Sequence, residues 1–185
     1  CPSSTASFVN NYPSSITITD VDVNCFGFAN LHNWHFSEDG TTEAVFNNDA
    51  MFRFGFDLTE SGGGNGEASL QIAPWWGKDS DGLFNVRSTD GEIACFGGRL
   101  PFYTFTGVYG LRYAKGTTIH LEATYLPNGL SAASPATIEY VVGYMGSTYS
   151  SGPLAFDMGN PAEDPPYGLW GMLNDGRCGA AMKAF

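Results

Sequence analysis

The stretch MFRFGFDLT (51–59) decides the fold class. Phe52, Phe54, Phe56 and Leu58 occupy every second position, and Arg53, Asp57 and Thr59 fall on the alternate set. A period of two puts the four apolar side chains on one face of an extended chain, the pattern of a half-buried β-strand. The same period recurs on both sides of it. ITITDVDV (16–23) sets Ile16 and Ile18 against Thr17 and Thr19, and EASLQIA (67–73) aligns Ala68, Leu70 and Ile72. TTIHLEATYL (117–126) aligns Ile119, Leu121, Ala123 and Tyr125 against His120, Glu122 and Thr124; ATIEYVVGY (136–144) aligns Ile138, Tyr140, Val142 and Tyr144. Turn formers separate the runs: the glycine-rich 61–66 stretch, Asp81-Gly82, Asp90-Gly91, Gly97-Gly98 and Pro127-Asn128-Gly129. No window carries the period of an amphipathic helix, and 24 glycines and 10 prolines interrupt the chain too often for long ones. Many half-buried strands in one chain predict an all-β fold, a two-sheet antiparallel β-sandwich of the jelly-roll type.

The chain has 185 residues, enough for one domain and short for two. Residues 16–185 read as that single sandwich. Residues 1–15, CPSSTASFVNNYPSS, are polar and rich in Ser and Pro, and read as an extended N-terminal arm. Order in such an arm requires a disulfide at Cys1, strand pairing or a neighbouring subunit. Eight Lys and Arg against nineteen Asp and Glu give a formal charge of −11. That balance excludes nucleic acid, which is bound through clustered cations, and a polybasic membrane surface. No apolar run approaches the ~18 residues of a spanning helix.

Four cysteines, Cys1, Cys25, Cys95 and Cys178, lie far apart with no CxxC among them, so zinc ribbons and thioredoxin-type sites have no support. Two disulfides in an oxidising compartment are the simplest expectation, with three pairings open; buried free thiols are the alternative. The chain opens on Cys1 with neither Met nor a signal region, which reads as a removed leader or a fragment, and a lipid-modified Cys1 is a minority reading.

The segment 116–157, GTTIHLEATYLPNGLSAASPATIEYVVGYMGSTYSSGPLAFD, reads as strand, hairpin excursion, strand, short loop, strand. It resembles the consecutive strands of concanavalin A-like lectin and glucanase sandwiches, also called laminin G-like jelly rolls. The resemblance covers about residues 43–185 and is one of pattern. It implies an extracellular or cell-surface setting and, often, glycan binding, with the 169–185 tail returning beside the first strand.

Chemistry-bearing residues are sparse. A glucanase of that superfamily would carry Glu-x-Asp-x-x-Glu on one strand, placing a carboxylate pair on a concave face. No such string occurs; the nearest doublets are Asp20/Asp22 and Asp90/Glu92, and Asp90-Gly91 is a turn. There is no G-x-S-x-G elbow. His32 and His35 in LHNWHF face opposite sides if on a strand and converge only in a turn, and a zinc or copper site would need a third ligand, for which His120 is the one remaining imidazole. Structural calcium is the better cofactor expectation, because Asp79 and Asp81, or Asp20 and Asp22, offer alternate oxygens. Arg99, in FGGRLPFYTF, is expected to pair with a carboxylate.

The aromatics are the fullest signal. Trp34, Trp75, Trp76, Tyr103, Tyr109 and Trp170 are the candidates for a glycan platform or a subunit interface, since an exposed ring serves either. The sequence reading is therefore a non-catalytic extracellular structural subunit. It assembles with copies of itself as a filament, sheath or matrix, through the arm and the aromatic surface. A carbohydrate-binding module or lectin is the alternative, and a secreted glycan hydrolase the weakest.

Overall fold

The computed structural model describes residues 4–21, 29–77, 80–97, 100–156, 170–172 and 177–185, with backbone alone at 73–77 and 80–81. Within them the chain is an all-β sandwich with one short helix. A four-stranded sheet has the order β11(Ser147–Ala155), β10(Thr137–Tyr144), β9(Ile119–Leu126), β4(Phe52–Leu58). A six-stranded sheet has the order β3(Asn30–His35), β12(Cys178–Ala184), β5(Gly66–Gly77), β6(Ser80–Arg87), β7(Ile93–Phe96), β8(Tyr103–Thr104). Every pairing is antiparallel.

The period-two stretches become these strands and bury the predicted faces. In β4, Phe52 and Leu58 are buried and Phe54 and Phe56 half-buried, whereas Arg53 and Asp57 are exposed. In β9 and β10, Ile119, Leu121, Ala123, Tyr125, Ile138, Tyr140 and Val142 are wholly buried. They meet Leu70, Ile72, Phe84, Val86, Ile93 and Cys95 of the large sheet in one core. Ring contacts join the layers: Phe84 of β6 meets Tyr140 of β10 edge-on at 5.5 Å. The C-terminal strand β12 lies between β3 and β5.

Three features depart from the sequence reading. Among the described residues the expected arm is not a lone extended segment: β1(Thr5–Asn11) pairs with β2(Ser15–Val21) as an antiparallel hairpin, and β2 begins at the expected 15/16 boundary. A three-residue turn, closed by Ser14 N donating to Asn11 O at 2.9 Å, brings the two strands together. The second departure is a five-residue helix, α1(Phe105–Tyr109), where no helix was expected. Thr104 Oγ1 accepts from Gly107 N at 3.0 Å and Gly110 ends the helix in the left-handed region, so capping rather than periodicity makes it.

The third concerns the cysteines. Cys95 is a free, wholly buried thiol whose pKa burial pushes well up. A framework of two disulfides is therefore absent. Cys95 and Cys178 also stand on strands three steps apart in one sheet, beyond the ~7 Å Cα reach of a disulfide. Cys1 and Cys25 lie outside the described residues.

Candidate functional site

The hairpin and the small sheet share one layer. Trp34 pairs across from Ala180 and Leu70, and His32 from Met182 and Ala68, so these β3 side chains stand on the face that carries the core. The hairpin packs on that same face. Phe8 meets the His32 ring edge-on at 5.7 Å, and Tyr12 contacts Trp34 at 5.8 Å and Phe36 at 5.7 Å. Asp20 Oδ2 bonds His32 Nε2 at 2.7 Å and accepts from Asn30 Nδ2 at 2.9 Å. Burial pushes the Asp20 carboxyl up, but the His32 and Asn30 hydrogen bonds outweigh it and hold the group below its ordinary value. This polar cluster and the aromatic ladder fasten the hairpin to β3.

Between β2 and β4 a cleft remains, about 1240 Å³ in volume. Its floor is Ala180, Met182 and Ala184 of β12, one wall is Phe54, Phe56 and Leu58, and the other is Ile16, Ile18 and Asp20. Among the described residues β4 is hydrogen-bonded only to β9, and β2 only to β1. Two open strand edges thus face a single apolar slot.

Glu60 and Lys115 stand at the cleft's glycine-rich end. Tyr113 Oη accepts from Glu60 N at 2.7 Å, while Lys115 Nζ donates to Gly64 O. Burial pushes the Glu60 carboxyl up to about 7, against the opposing pull of Ser88 and Lys115; Glu67 adds to the rise, and Oε1 is buried without a hydrogen-bond partner. A folded-state pKa above the unfolded ~4.3 favours the folded chain below the unfolded value, and that advantage disappears as pH rises through 7. Stability is therefore expected to fall on the order of 2–3 kcal/mol between pH 4.5 and 8 from this group. Glu60→Gln should flatten that slope and stabilise the chain at pH 8; urea melts across the range check it, and an unaltered slope would refute the assignment.

A second aromatic group sits at the other side of the sandwich. Phe102, Val108 and Tyr109 are exposed, and Tyr109 contacts Tyr149 of β11 at 5.2 Å. Tyr103 meets Phe105 at 4.9 Å, and Tyr109 Oη donates to Ser150 O at 2.8 Å. Burial, reinforced by the Tyr109 hydroxyl, pushes the Tyr103 phenol up to about 12. The predicted aromatic set therefore divides. Trp34 belongs to the cleft, Tyr103 and Tyr109 to the far patch. Trp170 is half-buried, its carbonyl accepting from Ala136 N at 2.7 Å. The side chains of Trp75 and Trp76 lie outside the described residues.

Among the metal candidates, Asp20 is engaged by His32 and Asn30. Asp22, Asp79 and the Asp81 side chain lie outside the described residues, as does Arg99. The three histidines do not converge: His32 faces the core layer, His35 the opposite face of β3, and His120 bonds Asp57 across the outer face of the small sheet at 2.8 Å. His35 Nδ1 instead bonds Glu43 at 3.0 Å, and the hydrogen bonds of His35 and then Arg177 hold the Glu43 carboxyl below its ordinary value. Among the described residues no three His, Cys, Asp or Glu side chains gather to hold a metal. Asp90 is the turn former expected, holding Arg87 at 2.6 and 2.9 Å.

The open cleft and the hairpin's self-pairing were missed in the sequence. The signal that would have found them is charge: residues 4–19 contain no Asp, Glu, Lys or Arg, in a chain of net charge −11. No family model, curated protein or solved structure matches the chain.

Proposed function

We propose that the protein is a non-catalytic, self-assembling structural subunit that works outside the cell, associating through its hairpin. One observation carries this reading: all seven residues of β1 are exposed on both faces, Phe8 and Val9 each at 53%. An isolated two-stranded ribbon is marginal in water, and apolar side chains on both its faces ask for a cover. Residues 4–19 of the hairpin carry no charge, and its one carboxylate, Asp20, is buried against His32, so it is also the stretch on which two strongly acidic copies meet without carboxylate repulsion. The extracellular setting is supported by the lectin-like strand pattern, not by the cysteines.

The test is the mass in solution across a concentration series at physiological salt, followed by negative-stain microscopy. Growth of defined oligomers or filaments with concentration is expected. A uniform ~20 kDa monomer at every concentration would overturn the reading. In that event the exposed Phe102–Tyr109 patch favours glycan binding, because rings beside Ser150 and Glu139 can stack on a pyranose while the polar groups hold its hydroxyls.

A further inference from the structure

Resting on that self-assembly reading, we infer that the slot between β4 and β2 receives strand β1 of a second copy, which leaves its own β2 to insert there. The dimensions fit one strand. The cleft, about 1240 Å³, is roomy enough for a strand and runs along β4 from Phe54 to Leu58 and along β2 from Ser15 to Val21. Strand β1 has seven residues, as does the β4 edge it would meet. The slot is flanked by one open edge on each side, so an inserted strand gains two ladders where β1 now has one. Alternate side chains of that strand would stand on Ala180, Met182 and Ala184 between Phe54 and Ile18, whereas in the isolated hairpin all are exposed.

Charge points to the same occupant. The carboxylates and lysines around the cleft, Asp20, Asp57, Glu60, Glu67, Lys115 and Lys183, lie at its rim or have partners, Asp20 being held by His32 and Asn30, and β1 brings no charge against them. The turn at residues 12–14, once opened, spans ~10 Å between the donor's β2 and the acceptor's slot. The resulting contact is head-to-tail, each copy giving one strand and receiving one, so it extends into filaments or closes into a ring.

The experiment is amide hydrogen exchange on the full chain, in dilute and assembled samples, alongside the double variant Phe8→Lys/Val9→Lys. Neighbouring positions face opposite ways in a strand, so one lysine must enter the slot whatever the register. Both sites are exposed and outside the core, and of the hairpin's fastening contacts only that of Phe8 with the His32 ring is lost, so the melting temperature of the sandwich should fall by no more than a few degrees. Expected in the assembled wild type is exchange at Phe52–Leu58 slowed roughly 100-fold, and in the variant an assembly constant weakened by about 100-fold or more. A synthetic peptide of residues 4–12, STASFVNNY, should disperse the assemblies while protecting the same β4 amides; a scrambled peptide should not. Assemblies in which β4 exchanges as fast as in dilute protein, or in which the variant associates unchanged, would overturn the slot and leave self-assembly standing. No assembly at any concentration would overturn both.

Discussion

Replacing Gly179 with alanine is expected to cost at least about 3 kcal/mol of stability and to release strand β3. The sign is opposite to the ordinary one, since alanine in a strand interior is usually better than glycine by ~0.5–1 kcal/mol. Gly179 lies in β12, between His35 of β3 and Gln71 of β5. A Cβ built there overlaps the carbonyl of Trp34 and crowds the His35 backbone. Backbone cannot rotate aside as a flexible side chain does, so β3 must move. With β3 go His32, Asn30 and Trp34, the side chains that fasten the hairpin. Denaturant melts measure the loss, and exchange at Asn30–His35 and Thr5–Val21 locates it. A variant as stable as wild type, with β3 still protected, would show that the close approach is relieved at no cost.

Phe84→Ala is expected to cost about 3–5 kcal/mol, the range for removing a wholly buried aromatic ring. Phe84 stacks on Phe105 of α1 at 5.5 Å and meets Tyr140 of the opposite sheet edge-on at 5.5 Å. It therefore joins helix, large sheet and small sheet at one point. Its neighbours cannot close over the gap easily, because Tyr140 is held by its hydroxyl donating to Pro101 O at 3.1 Å. At ~2–4 °C per kcal/mol for a domain of this size, the melting temperature should fall by roughly 10 °C. A loss below ~1 kcal/mol would mean that the sheets can slide together, against close packing at this point. Phe84 does not line the slot between β2 and β4, so any assembly by the folded variant should keep the wild-type pattern of β4 protection.

These two sites differ in how much of them the sequence discloses. Phe84 belongs to DGLFNVR, a run whose apolar alternation is short, yet neighbouring EASLQIA and ATIEYVVGY already call for a second layer that buries such a ring. Gly179 gives no such sign. In RCGAAMKAF it is one glycine among 24, and its close approach exists only because β12 is threaded between β3 and β5, strands about 145 and 110 residues away in the chain, respectively. Cys95 was misread for a related reason: cysteine spacing says nothing about burial, and a thiol within a packed β7 behaves as a small hydrophobe. Glu60 was overlooked because its shift comes from burial, which only the folded chain creates, with no local motif.

What the sequence determined by itself is the class and the faces. Period-two alternation is a local property, so MFRFGFDLT, TTIHLEATYL and ATIEYVVGY announce both their strands and their buried sides without reference to any partner. Strand order is not local. Which edge stays open depends on loop closures spanning much of the chain, and only the tertiary structure leaves β4 and β2 facing one another across an unfilled slot. The polar stretch 4–15 shows the same division. Its lack of charge is written in the sequence, but its pairing with β2 and its placement over β3 come from a turn and a buried Asp20–His32 contact, made only once the sandwich exists to bury it.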